Sequence, residues 1–160
     1  MPSNFPPENQ PKTISRSVGS EVNYVTWKSR LVRLFKVNLV AAHPKNEELL
    51  TPSLEALVDT GSELTWLPAE VLHKIGIAPR RQRTFSTATK QIVQQPIGYA
   101  ILRAEGFETT DEVVFAEPAD MILLGVRTLE GFGVMVDNIA HRFVATTTLA
   151  APIEMPIERL

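Results

Sequence analysis

Apolar residues along this chain fall in short runs cut by glycine, proline and small polar clusters, the pattern of a β protein rather than of long amphipathic helices. Tyr24 to Ala42 mixes Val, Leu, Phe and Trp with Lys28, Arg30, Arg33, Lys36 and Asn38, and predicts strands within Val25–Val40. His43–Glu48 reads as a polar loop, closed by Pro52 and Ser53 before an apolar strand that ends at Asp59. These strands should form a hairpin with Asp59 at its far end. Leu64–Leu67 predicts a further short strand. Pro68–Gly76 has the grammar of a helix: proline first, Glu70 early, His73 and Lys74 late, glycine as the stop. Val71, Leu72 and Ile75 give it a buried stripe, and Ile77 supplies the apolar contact after the stop.

The middle of the chain predicts only strands. Thr84–Val93 has a polar centre between β-branched flanks, which suits a hairpin with its tip at Ala88–Gln91. Pro96 suits an edge or a strand start, so Ile97–Arg103 should be a strand that Glu105-Gly106 turns back, and Asp111–Phe115 should pair with it. Pro118-Ala119-Asp120 turns into Met121–Gly125, and Thr128–Phe132 is a short helical turn stopped at Gly133-Val134. Val134–Val136 and Arg142–Val144 then flank a turn at Asp137-Asn138. Strand, glycine, short helix and glycine thus occur twice, which predicts a duplicated half with approximate internal twofold symmetry.

At 160 residues, 44% hydrophobic and 21% charged, the chain fits one domain with tails. Residues 1–20 hold Pro2, Pro6, Pro7 and Pro11 among polar residues and are expected as a disordered arm, with a propeptide as the functional alternative. Residues 21–150 form the expected domain and 151–160 a C-terminal tail. A net charge of -2 gives no electrostatic reason to expect nucleic acid or an anionic membrane. No apolar run reaches membrane-spanning length and no secretory signal opens the chain. The absence of cysteine excludes disulfides and thiolate metal sites and fits a cytoplasmic location. His43, His73 and His141 lack ligand spacing, so no metal or other cofactor is expected.

The chemistry sits in Ala56-Leu57-Val58-Asp59-Thr60-Gly61-Ser62, where an apolar strand delivers a carboxylate into a turn that Gly61 lets bend sharply. Leu57-Val58-Asp59-Thr60-Gly61-Ser62 with Thr65 and Leu67, followed much later by Ile122-Leu123-Leu124-Gly125, resembles the retropepsin-like aspartic proteases. Leu123–Val126, Leu129-Glu130 and Gly133–Asp137 resemble more narrowly their small single-domain prokaryotic members. The resemblance covers about residues 30 to 145. It implies a mainly β, closed barrel with one or two short helices, and an aspartic endopeptidase that hydrolyses peptide or protein substrates.

That chemistry requires two carboxylates sharing one proton, since adjacent like charges do not both ionise cheaply. Asp111-Glu112, Asp120-Met121 and Asp137-Asn138 lack the hydroxyl and glycine that follow Asp59, so a homodimer with one Asp59 from each copy is expected. By resemblance, Thr60 and Gly61 support the active-site loop, and the hairpin is a flap. Ser62, Glu63, Leu64, Ala88 and Thr89 are then substrate-binding, Leu64 giving an apolar subsite where retroviral relatives carry an acid. Those relatives also follow this glycine with an arginine that braces the dimer; here Val126 follows Gly125. Arg80, Arg81 and Arg83 read as a solvated loop, with recognition of an acidic ligand as the functional alternative. The alternatives are a non-catalytic peptide-binding or dimerisation module on the same fold, and a regulatory or adaptor domain.

Overall fold

The computed structural model describes residues 34–147 and 150, together with three strand backbones before them. Those three, β1 (Ile14–Arg16), β2 (Asn23–Trp27) and β3 (Arg30–Arg33), form a small antiparallel sheet. Of the expected arm over residues 1–20 only β1 is described; the rest, and the tail from residue 151, lie outside the described residues. The main sheet contains β4 (Lys36–His43), β5 (Asn46–Leu50), β6 (Leu54–Val58), β7 (Thr65–Pro68), β8 (Arg81–Ser86), β9 (Ile92–Ala104), β10 (Phe107–Ala116) and β11 (Leu123–Leu124). Two helices interrupt it, α1 (Ala69–Lys74) and α2 (Val126–Phe132), and β12 (Val134–Asp137) with β13 (Arg142–Ala145) makes a final hairpin.

Alternation explains the inward faces. In β4, Val37, Leu39 and Ala41 are buried one residue apart, the period-2 pattern of a strand with one face on a core. β4 pairs β6 on one side and β9 on the other. From β6 the pairings pass through β11, β7 and β10 back to β9, so six strands form a closed circuit of hydrogen bonding. β5 and β8 stand outside that circuit as edges. The main cluster inside includes Leu39, Leu67, Leu72, Leu102, Phe115 and Leu124, while Leu64, Ile97 and Val114 form a second one with Trp66 and Phe85 packed on it.

The duplication expected from the sequence has a topological form. β6 leads through the Asp59 turn into β7 and α1; β10 leads through residues 117–122 into β11 and α2. The first strand of each unit lies parallel to the second strand of the other, β6 with β11 and β10 with β7, and β7 meets β11 antiparallel at Leu123 and Trp66. The two connecting loops therefore lie at opposite ends of the crossing.

Helix α1 ends as its sequence predicts. Gly76 takes φ +82°, its N–H donates to the His73 carbonyl at 3.0 Å, and the Ile77 N–H donates to Leu72 at 3.0 Å, with Ile77 buried. Pro68 sits one place earlier than expected, capping the helix as the last residue of β7. Two readings need larger correction. The polar stretch His43–Glu48 is a hairpin in which only Pro44 and Lys45 turn, and every residue of its second strand, β5, is exposed. An edge strand with nothing to bury shows no apolar alternation. Of the two places expected for Pro96, the strand start is wrong and the edge holds: it lies inside β9, a strand of 13 residues, where that strand is paired on one side only. It is tolerated because residues 92–96 pair only with β8, so no second ladder needs its missing N–H.

Candidate active site

Asp59 is pinned by the crossing that surrounds it. The Val58 N–H donates to the Phe35 carbonyl at 2.9 Å, and the Asp59 N–H donates to Leu124 at 3.0 Å. The chain then turns: Ser62 N–H donates to the Asp59 carbonyl at 3.1 Å, and Gly61 N–H donates to the carboxylate Oδ1 at 2.9 Å. Asp59 is partly exposed, and Thr60 and Gly61 are exposed at the apex. A Cβ on Gly61 would lie 3.1 Å from Asp59 Oδ1, so glycine keeps the carboxylate and its amide partner together.

The far side of the turn is docked on α2. Its first N–H groups, which have no partner within a helix, donate to the turn: Val126 to the Ser62 carbonyl at 2.8 Å and Arg127 to Glu63 at 3.1 Å. Gly125 makes this approach possible, because a Cβ there would fall 2.4 Å from both the carbonyl carbon and oxygen of Leu64. The Gly125 N–H donates to Thr65 Oγ1 at 3.0 Å, the Thr65 and Thr128 hydroxyls meet at 2.6 Å, and Thr128 donates to Asp111 Oδ2 at 3.1 Å. Since Thr128 spends its single proton on Asp111, Thr65 is the donor between the two hydroxyls. Both threonines are fully buried. A hydrogen-bonded line thus runs from the glycine beside the Asp turn to a buried acid.

That acid belongs to a charge cluster. Glu112 lies 2.6 Å from Arg81, 3.2 Å from Arg127 and 3.5 Å from Arg83, and Arg127 also lies 3.5 Å from Asp111. Arg83 reaches on to Glu63 at 2.8 Å. The hydrogen bond and charge of Arg81, with Arg127 behind it, hold the Glu112 carboxyl below its usual range against the opposing effect of burial. A carboxylate whose folded pKa is depressed stabilises the fold fully above the ordinary carboxylate range, and that contribution is lost as pH falls through the depressed folded value. Stability should therefore decline on acidification below about pH 4.5. Glu112→Gln should lower stability at neutral pH and flatten the acid slope, as read by denaturant midpoints across pH.

The expected site residues separate into three groups. Asp59, Thr60, Gly61 and Ser62 share one turn, although the Ser62 hydroxyl already donates to the Leu64 carbonyl at 2.8 Å. Ala88 and Thr89 are exposed at the tip of the β8–β9 hairpin, as expected. The tip closes on itself, Thr87 N–H to Gln91 at 2.8 Å and Lys90 N–H to Thr87 at 2.9 Å, and Lys90 takes φ +61° where glycine is the easier residue. Leu64 is corrected: it is completely buried with Ile97 and Val114, so within this chain it supports the turn from the core and forms no subsite wall. Arg81 and Arg83 are corrected too, from a solvated loop to paired strand residues. The sequence reading did not single out Asp111, Glu112, Arg127 and Thr128 as partners of the turn. The available signal was two adjacent acids in a strand that continues as Val113-Val114-Phe115, a costly placement without partners.

Among the described residues no group of three or more His, Asp or Glu is arranged to hold a metal ion, and no helix is long and apolar enough to cross a membrane. No curated protein matches the chain. Among solved structures it is similar to a foamy viral protease-reverse transcriptase in complex with double-stranded DNA, at 15% identity and a TM-score of 0.43. A native Prototype Foamy Virus protease-reverse transcriptase matches at 18% identity and a TM-score of 0.41. Each match covers 78% of this chain but only 18% and 14% of those longer chains. A family described as "gag-polyprotein putative aspartyl protease" matches residues 51–131, a span that holds the Asp59 turn, the β8–β9 hairpin and the Leu123–Gly125 crossing. With more than half of its length inside that match, the chain belongs to this retropepsin-like aspartyl protease family.

Proposed function

We propose that the chain is an aspartic endopeptidase whose active site forms when two copies bring their Asp59 carboxylates together. The observation that carries this reading is the Asp59 turn itself: a partly exposed carboxylate, held by one backbone amide on a turn fixed from the core and by α2. The other loop of the duplication offers Asp120 in place of a second Asp-Thr-Gly, but it lies at the opposite end of the crossing, and Asp120 Oδ2 accepts the Glu117 N–H at 2.8 Å. A second acid therefore has to come from a second chain.

In the joined site one carboxylate is ionised and the other protonated, because like charges at contact distance do not both ionise cheaply. The ionised group takes a proton from water as the water oxygen bonds to the peptide carbonyl carbon, and the protonated group gives its proton to the carbonyl oxygen. The resulting diol collapses with cleavage of the C–N bond and proton transfer to the departing nitrogen. One water is consumed, and an acid and an amine are released. The β8–β9 hairpin, with Ala88 and Thr89 at its tip, closes over the bound peptide and limits water access. Thr60 braces the two turns across the twofold axis, and Ser62 and Glu63 contact the peptide beside them.

Digestion of a peptide library at acidic and neutral pH, with sedimentation of the same sample, tests this reading. The expected result is cleavage by a dimer. Cleavage by a species that stays monomeric would overturn the shared site, and binding without cleavage would favour a peptide-binding module.

A further inference from the structure

We infer that Arg83 is a positioning residue that ties the β8–β9 hairpin to the Asp59 turn through Glu63, an inference that rests on the proteolytic reading above. β8 is an edge strand whose sheet neighbour is β9. Its inward face is Arg81, Arg83 and Phe85, spaced by two as a strand requires. Each of these meets the body of the domain. Arg81 pairs with Glu112, and the Phe85 ring packs against Trp66 with centroids 5.3 Å apart. Arg83, between them, is the member that touches the catalytic loop.

Its guanidinium is forked across two elements, Nη2 to Glu63 Oε1 at 2.8 Å and Nη1 to Glu112 Oε2 at 3.5 Å, and it also lies 5.7 Å from the Phe85 ring centre. Glu63 immediately follows the Asp59 turn, four residues after Asp59, and its carbonyl receives the Arg127 N–H. Arg83 thus joins the hairpin, the loop and the buried acid pair at one point. Beyond Phe85 the hydrogen bonds of residues 87–91 are among themselves, within the described residues. The elevation of the tip is therefore set by contacts lower on β8, and Arg83 stands about 13 Å from Thr87 along an extended strand. Lysine cannot reproduce the link, since a single ammonium does not present two diverging N–H donors to two carboxylates.

Hydrogen–deuterium exchange at residues 87–91 of the full chain tests the tie without requiring turnover. Arg83→Gln and Glu63→Gln should each speed exchange there about fivefold, the upper end for a pair this exposed. The double variant should be no faster than Arg83→Gln alone, because with Arg83 gone Glu63 has no link left to lose. On a cleaved peptide, Arg83→Gln should raise KM about fivefold and leave kcat within about twofold, and 1 M salt should reproduce the effect in the wild type only. Unchanged exchange in Arg83→Gln, or an additive double variant, overturns the tie. If the wild-type chain cleaves no peptide while the exchange coupling appears, the proteolytic reading fails and the mechanical link stands. If it cleaves peptide without the coupling, the link fails and the proteolytic reading stands.

Discussion

Replacing Asp59 by asparagine is expected to lower peptide hydrolysis by roughly 10²- to 10⁴-fold, the scale of losing a positioned acid–base group. The loss should be chemical rather than structural. Asparagine has the same shape, and its side-chain oxygen can still accept the Gly61 N–H that now meets Asp59 Oδ1 at 2.9 Å. The backbone bonds that hold the turn, to Phe35, Leu124 and the α2 N-terminus, involve no side-chain atom of Asp59. Folding stability should therefore stay within about 0.5 kcal/mol of the wild type, as for a substitution at a partly exposed position outside the core. Parallel measurement of hydrolysis and denaturant midpoint checks both halves. Retained hydrolysis would remove Asp59 from the chemistry; a collapsed midpoint would make its role structural.

Gly125→Ala should have the largest effect on stability of any single methyl addition near the site, costing more than about 3 kcal/mol. The added carbon would fall 2.4 Å from two backbone atoms of Leu64 and 3.0 Å from the Glu63 carbonyl oxygen. Neither neighbour is a flexible side chain that can swing away. Relief requires separating the turn from α2, which breaks the Val126 to Ser62 and Arg127 to Glu63 hydrogen bonds and pulls the Gly125 amide from buried Thr65. Urea unfolding measures the loss as a lowered midpoint. A variant with the wild-type midpoint would mean that the turn does not rest on α2 as described.

Much of this was legible because the residues concerned obey local rules. The apolar strand into Asp59, the proline before α1 and the glycine stops at Gly76 and Gly133 each show their physical reason in a few neighbours. The two-residue turn at Glu105-Gly106, with both residues at positive φ, was equally readable. What escaped depends on partners distant in sequence. β5 buries nothing, so its existence rests on pairing with β4 rather than on its own pattern. Leu64 looks like a subsite residue from its place beside the motif, but its burial is set by Ile97 and Val114. Arg81 and Arg83 look like free surface charge until β10 brings Glu112 beneath them. Thr65 and Thr128 look like ordinary strand and helix residues, 63 positions apart, until the crossing places their hydroxyls in contact.

The most direct measurement is subunit mixing. Wild-type and Asp59→Asn chains are equilibrated at fixed total concentration, and hydrolysis is followed against the wild-type fraction. If each active site needs an acid from both copies, mixed dimers are inactive and the rate follows the square of that fraction. A rate that falls linearly would show that each chain carries a complete site of its own, and would contradict the shared carboxylate pair.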